Sequence, residues 1–165
     1  MVPISFSRRQ RPLDTVQDSG AVSPPILLSS LRSDLNHSYM MYQKAILFND
    51  TAAGLAILNA SHPRKAKSLG RKVHNFSNEV WDAERERIVL HGTVLKFRAD
   101  PALREKLLAT GDRELVEASP LDAIWGIGFA EANAEDLRAD WGLNLLGKAI
   151  MNARKILCEE DKLST

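Results

Sequence analysis

Between Ser38 and Phe48 the chain reads SYMMYQKAILF, apolar on nearly every side of a helix. A helix of that kind is buried on most sides, so the other segments must be arranged around it. The chain has 165 residues, enough for one domain with a real core and too few for two ordinary ones.

The flanking sequence supplies short helices to cover it. Asn49-Asp50 ends the first helix and caps the next, over Thr51–Leu58. Ser61-His62-Pro63 starts a third, with proline in its first turn and Gly70 as an interruption. Ser77 caps a long helix from Asn78 to about Arg98, with Glu79 in the first turn, where the helix dipole favours negative charge. Asp100-Pro101 opens another helix, which Gly111 closes. Glu114 to Ala118 alternates like a short strand. Ser119 to Gly128 is turn-rich, and the last helix runs from about Asn144 to Leu157. The expected fold is mainly α with a small β element, a single domain over residues 34–165.

Residues 1–33 are different. They hold Pro3, Pro12, Pro24 and Pro25, four of the seven prolines, and Pro25-Ile26-Leu27-Leu28 is their only apolar cluster. Without a sustained pattern such a segment hardly offsets its ordering entropy, so it is expected to be mostly disordered and not to pack on the domain.

Composition narrows the functional classes. A net charge of +1 gives no global field toward nucleic acid or an acidic membrane. Cys158 is the only cysteine, which excludes an internal disulfide or a cysteine metal cluster and favours a reducing compartment. His37, His62, His74 and His91 lack the short spacings of a metal site. No apolar run reaches the length of a membrane span, and Arg8, Arg9 and Arg11 precede no apolar stretch of a secretory signal. The expectation is a cytoplasmic protein without metal or cofactor.

Four features carry candidate chemistry. Lys44 lies among Tyr39, Met40, Met41, Tyr42, Ala45, Ile46, Leu47 and Phe48. It either snorkels to the surface, contacts a phosphate, or attacks an aldehyde carbon. Arg64 to Lys72 reads RKAKSLGRK, with five basic residues and no acid. Arg64, Lys67 and Arg71 share one helical face, either a solvated face or a phosphate site. In Gly111–Gly128, Glu117 and Asp122 flank a turn with Pro120, and Trp125 stands beside Gly126 and Gly128. Carboxylates of this kind stabilise an oxocarbenium-like centre or activate water, and the indole stacks on a base. A buried Trp under a loop with charges at its rim is the alternative. In Trp141–Gly147, Asn144 reads as the N-cap of the last helix, whose start either offers free amides to an anion or carries a plain cap.

Taken in order, these segments resemble the NADAR family, of which YbiA-like N-glycosidases are members. The blocks are YMMYQKA at Tyr39–Ala45, LGRKV at Leu69–Val73, FSNEVWDAER at Phe76–Arg85, and KF at Lys96-Phe97. LLATGDRELVEASPLDAIWGIG at Leu107–Gly128 and WGLNLLG at Trp141–Gly147 complete them, covering about residues 37–158. The resemblance implies a mainly helical YbiA-like fold and an N-glycosidase. The implied substrates are small-molecule ribosylamino-pyrimidine phosphates of riboflavin synthesis, or ADP-ribosylated guanine, including guanine within nucleic acid. It implies Lys44, Asp122 and Glu117 as catalytic residues. It implies Tyr39, Arg71, Trp81, Trp125, Gly126, Asn144 and Gly147 as substrate-binding residues. One position departs from the family pattern: a glutamate normally precedes the YMM-type segment, and here His37 stands there, followed by Ser38. An upstream strand segment of the family is not evident in residues 1–36. The competing expectation is therefore a module that binds ADP-ribose or a nucleotide with reduced or lost catalysis.

Overall fold

The computed structural model describes the backbone of residues 26–27 and residues 35–163, with side chains from Ser38 onward. In chain order the elements are β1 (Ile26–Leu27), α1 (Leu35–Leu47), α2 (Thr51–Leu58), α3 (Pro63–Gly70) and α4 (Asn78–Ala99). They continue with α5 (Pro101–Leu108), β2 (Leu115–Val116), 3-10 turns at Glu131–Asn133 and Arg138–Asp140, and α6 (Leu145–Leu163). The fold is mainly helical, as the sequence indicates.

The helix boundaries follow from local capping. Asp50, His62, Ser77 and Asp100 each accept a backbone N–H from the first turn of the helix they precede. Pro63 and Pro101 occupy first-turn positions, where the missing N–H costs nothing. α6 runs about one and a half turns past the expected Leu157, to Leu163. Ion pairs hold that extension: Glu160 meets Arg98 of α4, and Asp161 meets Arg104 of α5.

α1 is buried by three helices. Met41, Ala45 and Phe48 form one core with Ile57 of α2, Ala66 of α3 and Val73. A second core joins Phe97 of α4, Leu107 of α5, Leu115 of β2, and Ile150 and Leu157 of α6. A third, smaller one holds Val116, Ile127 and Ala134. Leu115 and Val116 thus face different cores, as the two-residue period of a strand requires. α4 reaches both larger cores, with Trp81 packed against the first and Phe97 inside the second.

β1 pairs in parallel with β2, Ile26 opposite Leu115 and Leu27 opposite Val116. At Ile26 and Leu27 this corrects the expectation that residues 1–33 do not pack on the domain. Strand pairing satisfies backbone groups next to two fully buried side chains, and the apolar Ile26-Leu27 pair suits that position. The remainder of that expectation concerns residues outside those described.

β2 is also held by a side chain. Asn144, just before α6, donates from Nδ2 to the Leu115 carbonyl at 3.0 Å. Its Oδ1 accepts the Glu117 N–H at 3.1 Å. The Asn144 backbone is left-handed, with φ 49°, a conformation asparagine tolerates better than most residues. Gly147, one turn on, lets α6 approach this strand: a Cβ there would stand 2.2 Å from the Leu115 carbonyl oxygen. Replacing Asn144 by Ala strands two buried backbone groups and should cost about 3 kcal/mol of stability. Gly147→Ala should cost about 2 kcal/mol through overpacking. Urea unfolding of both variants checks this, and losses below about 1 kcal/mol would mean the contact is not needed.

Candidate functional site

Lys44 is half-buried on α1. Its ammonium lies 3.9 Å from the Phe76 ring centroid and 5.7 Å from that of Trp81. No acid pairs with it among the described residues. Burial therefore lowers its pKa from the ordinary lysine value, since desolvation penalises the charged form. Contact with the aromatic faces favours the charged form by roughly 0.5–2 kcal/mol and opposes that shift.

The loop carrying Phe76 is fixed by Asp50. One oxygen of this carboxylate accepts Ala53 N–H at 2.9 Å and starts α2. The other accepts the His74 backbone N–H at 2.9 Å and His74 Nδ1 at 2.8 Å. The His74 contacts lead in drawing the Asp50 pKa down to about 2. Asn75 then turns the chain with φ 54°, and Phe76 packs edge-on against Phe48 at 5.2 Å. The sequence marks Asp50 as a helix cap; its hold on this loop is a tertiary contact.

Tyr39 lies on the same α1–α4 seam. Its hydroxyl bonds Nδ1 of His91, and its ring covers Gly92, where a Cβ would come within 2.5 Å. Burial raises the phenol pKa, with Arg87 opposing. Trp81 is half-buried against the first core. Arg71 is the C-cap of α3, and its side chain is exposed, like those of Arg64, Lys65, Lys67 and Lys72. The apolar side of that basic helix, Ala66 and Val73, is buried as its spacing requires.

The remaining candidates form a second group around β2. Glu117 is buried; its carbonyl accepts Ser119 and Ile127 N–H at 3.0 Å each. Oδ1 of Asp122 accepts Ile124 N–H at 3.0 Å and Trp125 N–H at 2.8 Å, a side-chain turn that closes the loop on itself. Trp125 is half-buried. Gly126 is buried, and a Cβ on it would lie 2.6 Å from the Glu117 carbonyl oxygen. This loop lines up against the start of α6, and the Asn144 N–H bonds the Gly126 carbonyl at 3.1 Å.

Two expectations change here. The Asn144 side chain bonds β2 rather than capping α6, because its left-handed backbone turns it toward the strand. The start of α6 also does not offer its first amides to an anion. Leu145 N–H bonds the Ile124 carbonyl at 3.1 Å, and Leu146 N–H bonds the Trp125 carbonyl at 3.0 Å. Lys44 and Trp81 are brought together; Glu117, Asp122, Trp125, Gly126 and Asn144 form one hydrogen-bonded unit, with Gly147 closely packed on Asn144. Among the described residues no hydrogen bond, ion pair or ring contact joins Lys44 to Asp122. Spacing alone does not point to Phe76 or His91, because each reaches its partner only through the packing of α4 or its preceding loop on α1.

The NADAR domain model matches residues 15–158, beginning upstream of the motif blocks. An N-glycosidase of Acanthamoeba polyphaga mimivirus is 44% identical over 119 residues, 71% of this chain and 70% of that protein. A riboflavin biosynthesis protein of Vibrio vulnificus is 31% identical over 118 residues, 72% of this chain but only 30% of that larger protein. Among solved structures, the NMR structure of the E. coli protein YbiA has a TM-score of 0.61 at 28% identity. That likeness covers 76% of this chain and 68% of YbiA.

Because the Asp50 pKa falls from 3.8 to about 2 on folding, its contribution to stability is complete above about pH 4. It is lost as pH falls toward about 2, when the carboxylate protonates in the folded state as well. The stability difference between wild type and Asp50→Asn should shrink across that interval. A difference independent of pH between about 5 and 2 would contradict the assignment.

Proposed function

Because the chain belongs to the NADAR family, we propose that it is an N-glycosidase that cleaves the C1–N bond between a ribose and a heterocyclic base. The observation that carries this reading is Lys44, an ammonium with a lowered pKa set against two aromatic rings without an acidic partner among the described residues. The names of the mimivirus and Vibrio relatives support the reaction class and a ribosyl substrate. The proposed substrates are a ribosylamino-pyrimidine phosphate or ADP-ribosylated guanine.

In the proposed reaction the glycosylamine opens to an imine at C1. The neutral Lys44 amine adds to that carbon. The base departs with its electron pair and a proton, leaving a Schiff base between Lys44 and the sugar. Water then adds to the Schiff-base carbon, releasing the free sugar and regenerating the amine. Asp122 has one oxygen committed to its own turn; the other is assigned to the positive charge that develops at C1. Glu117 supports the loop or the ribose hydroxyls. Arg71 is assigned to the phosphate, Trp81 and Trp125 to the faces of the base, and Tyr39 to the sugar side of the seam. Gly126, Asn144 and Gly147 shape the backbone of the pocket.

A second reading is favoured by residue 37. A neutral imidazole accepts a proton near neutral pH but does not offer a carboxylate's charge to a cationic sugar. With His37 in place of the family glutamate, the expected behaviour is ligand binding with weak turnover.

The test is release of free base from ADP-ribosylated guanosine and from a ribosylamino-pyrimidine phosphate. Turnover should rise with pH as Lys44 deprotonates and fall at least tenfold in Lys44→Ala and Asp122→Ala. It should increase in His37→Glu. Robust wild-type release that survives both alanine changes would place the chemistry elsewhere. Absence of release in every variant, with ADP-ribose still bound, would favour the binding module.

A further inference from the structure

Arg85 has an environment that the fold does not explain. Its side chain is only 16% exposed. Nη1 donates to Oδ1 of Asp82 at 2.6 Å, but Nε is buried without an acceptor among the described residues. A guanidinium presents five N–H donors in a planar fork and is not relieved by losing a proton. An unmatched buried donor of this kind is costly unless something on that edge accepts from it.

The position of Arg85 says what that acceptor is. Trp81, Arg85, Ile88 and Gly92 recur at helical spacing and share one stripe of α4. At one end of the stripe Trp81 meets Lys44, and at the other Gly92 lies under Tyr39. Residues four apart on a helix have Cβ atoms roughly 5–6 Å from one another, so Arg85 sits one turn from the Trp81 indole. The Lys44 ammonium has no acidic partner among the described residues. A buried guanidinium edge with an unused donor, one turn from the indole that Lys44 meets, matches an anion with several oxygens.

We infer that Arg85 binds the phosphate of a ribosyl phosphate substrate through its Nε edge, from the stripe of α4 that faces α1 and in addition to the exposed Arg71 of α3. This rests on the N-glycosidase reading for the ribosyl part of the ligand, whereas the anion site stands on the α1–α4 geometry alone. A phosphomonoester on ribose and the diphosphate of ADP-ribose share this chemistry.

Calorimetric titration of the full chain with ribose 5-phosphate, ADP-ribose, ribose and inorganic pyrophosphate separates the possibilities. Arg85→Met should bind at least one of the three phosphorylated probes tenfold more weakly or worse, and ribose as wild type does. Arg85→Lys, which keeps the charge without the fork, should recover only part of the loss. The probe most affected identifies a monophosphate or a diphosphate. Thermal melting reports whether each variant folds; should Arg85→Met not fold, Arg85→Lys decides. A folded variant that binds every phosphorylated probe as wild type does overturns the inference, and so does wild type that binds none of them. Tight but Arg85-independent binding of all three phosphorylated probes would sink this inference and leave the N-glycosidase reading standing. Arg85-dependent binding of pyrophosphate with no base release would do the reverse.

Discussion

The structure depends on α4 serving two cores at once. Its first half presents Trp81 to the core built around α1, and its last turns bury Phe97 among α5, β2 and α6. Neither group of short helices has enough apolar surface of its own for an independent domain. A helix that spans both makes the packing of one half conditional on the other. It also fixes the α1–α4 seam, because Tyr39 over Gly92 and Lys44 beside Trp81 anchor that seam at two places.

The second half of the molecule is organised by backbone hydrogen bonds rather than by a large sheet. β2 is two residues long and is bonded to β1 and to the Asn144 side chain. The loop after it pairs carbonyl by carbonyl with the chain entering α6. Asn144, Gly126 and Gly147 are therefore required by geometry: a left-handed turn in one case and close approach of backbone in the others. Such residues carry a family motif whether or not they touch a ligand. Lys44 and Arg85 differ from them, since the fold leaves a desolvated ammonium without an acid and a buried Nε without an acceptor among the described residues. On the proposed reading, that contrast separates positions that build the site from positions assigned to a ligand.

Much of the fold was legible because it is local. Asp50, Ser77 and Asp100 cap helices within four residues of themselves, and prolines at 63 and 101 mark first turns. Apolar periodicity identified the buried helix and the buried side of the basic one. These are interactions between neighbours in the chain, so the order of residues is enough to specify them. The sequence also determined that Lys44 would be an ionisable group in apolar surroundings. Only the tertiary structure decided its partners. Phe76 under the ammonium, His74 on Asp50, Asn144 on β2 and β1 beside Leu115 are contacts across 24 to 89 residues of chain. Such contacts form only after distant segments pack, and capping or periodicity carries no information about which segments those are. The same reason explains why Asn144 read as a helix cap: its position before α6 is a local fact, while the strand that claims its side chain lies on another part of the chain.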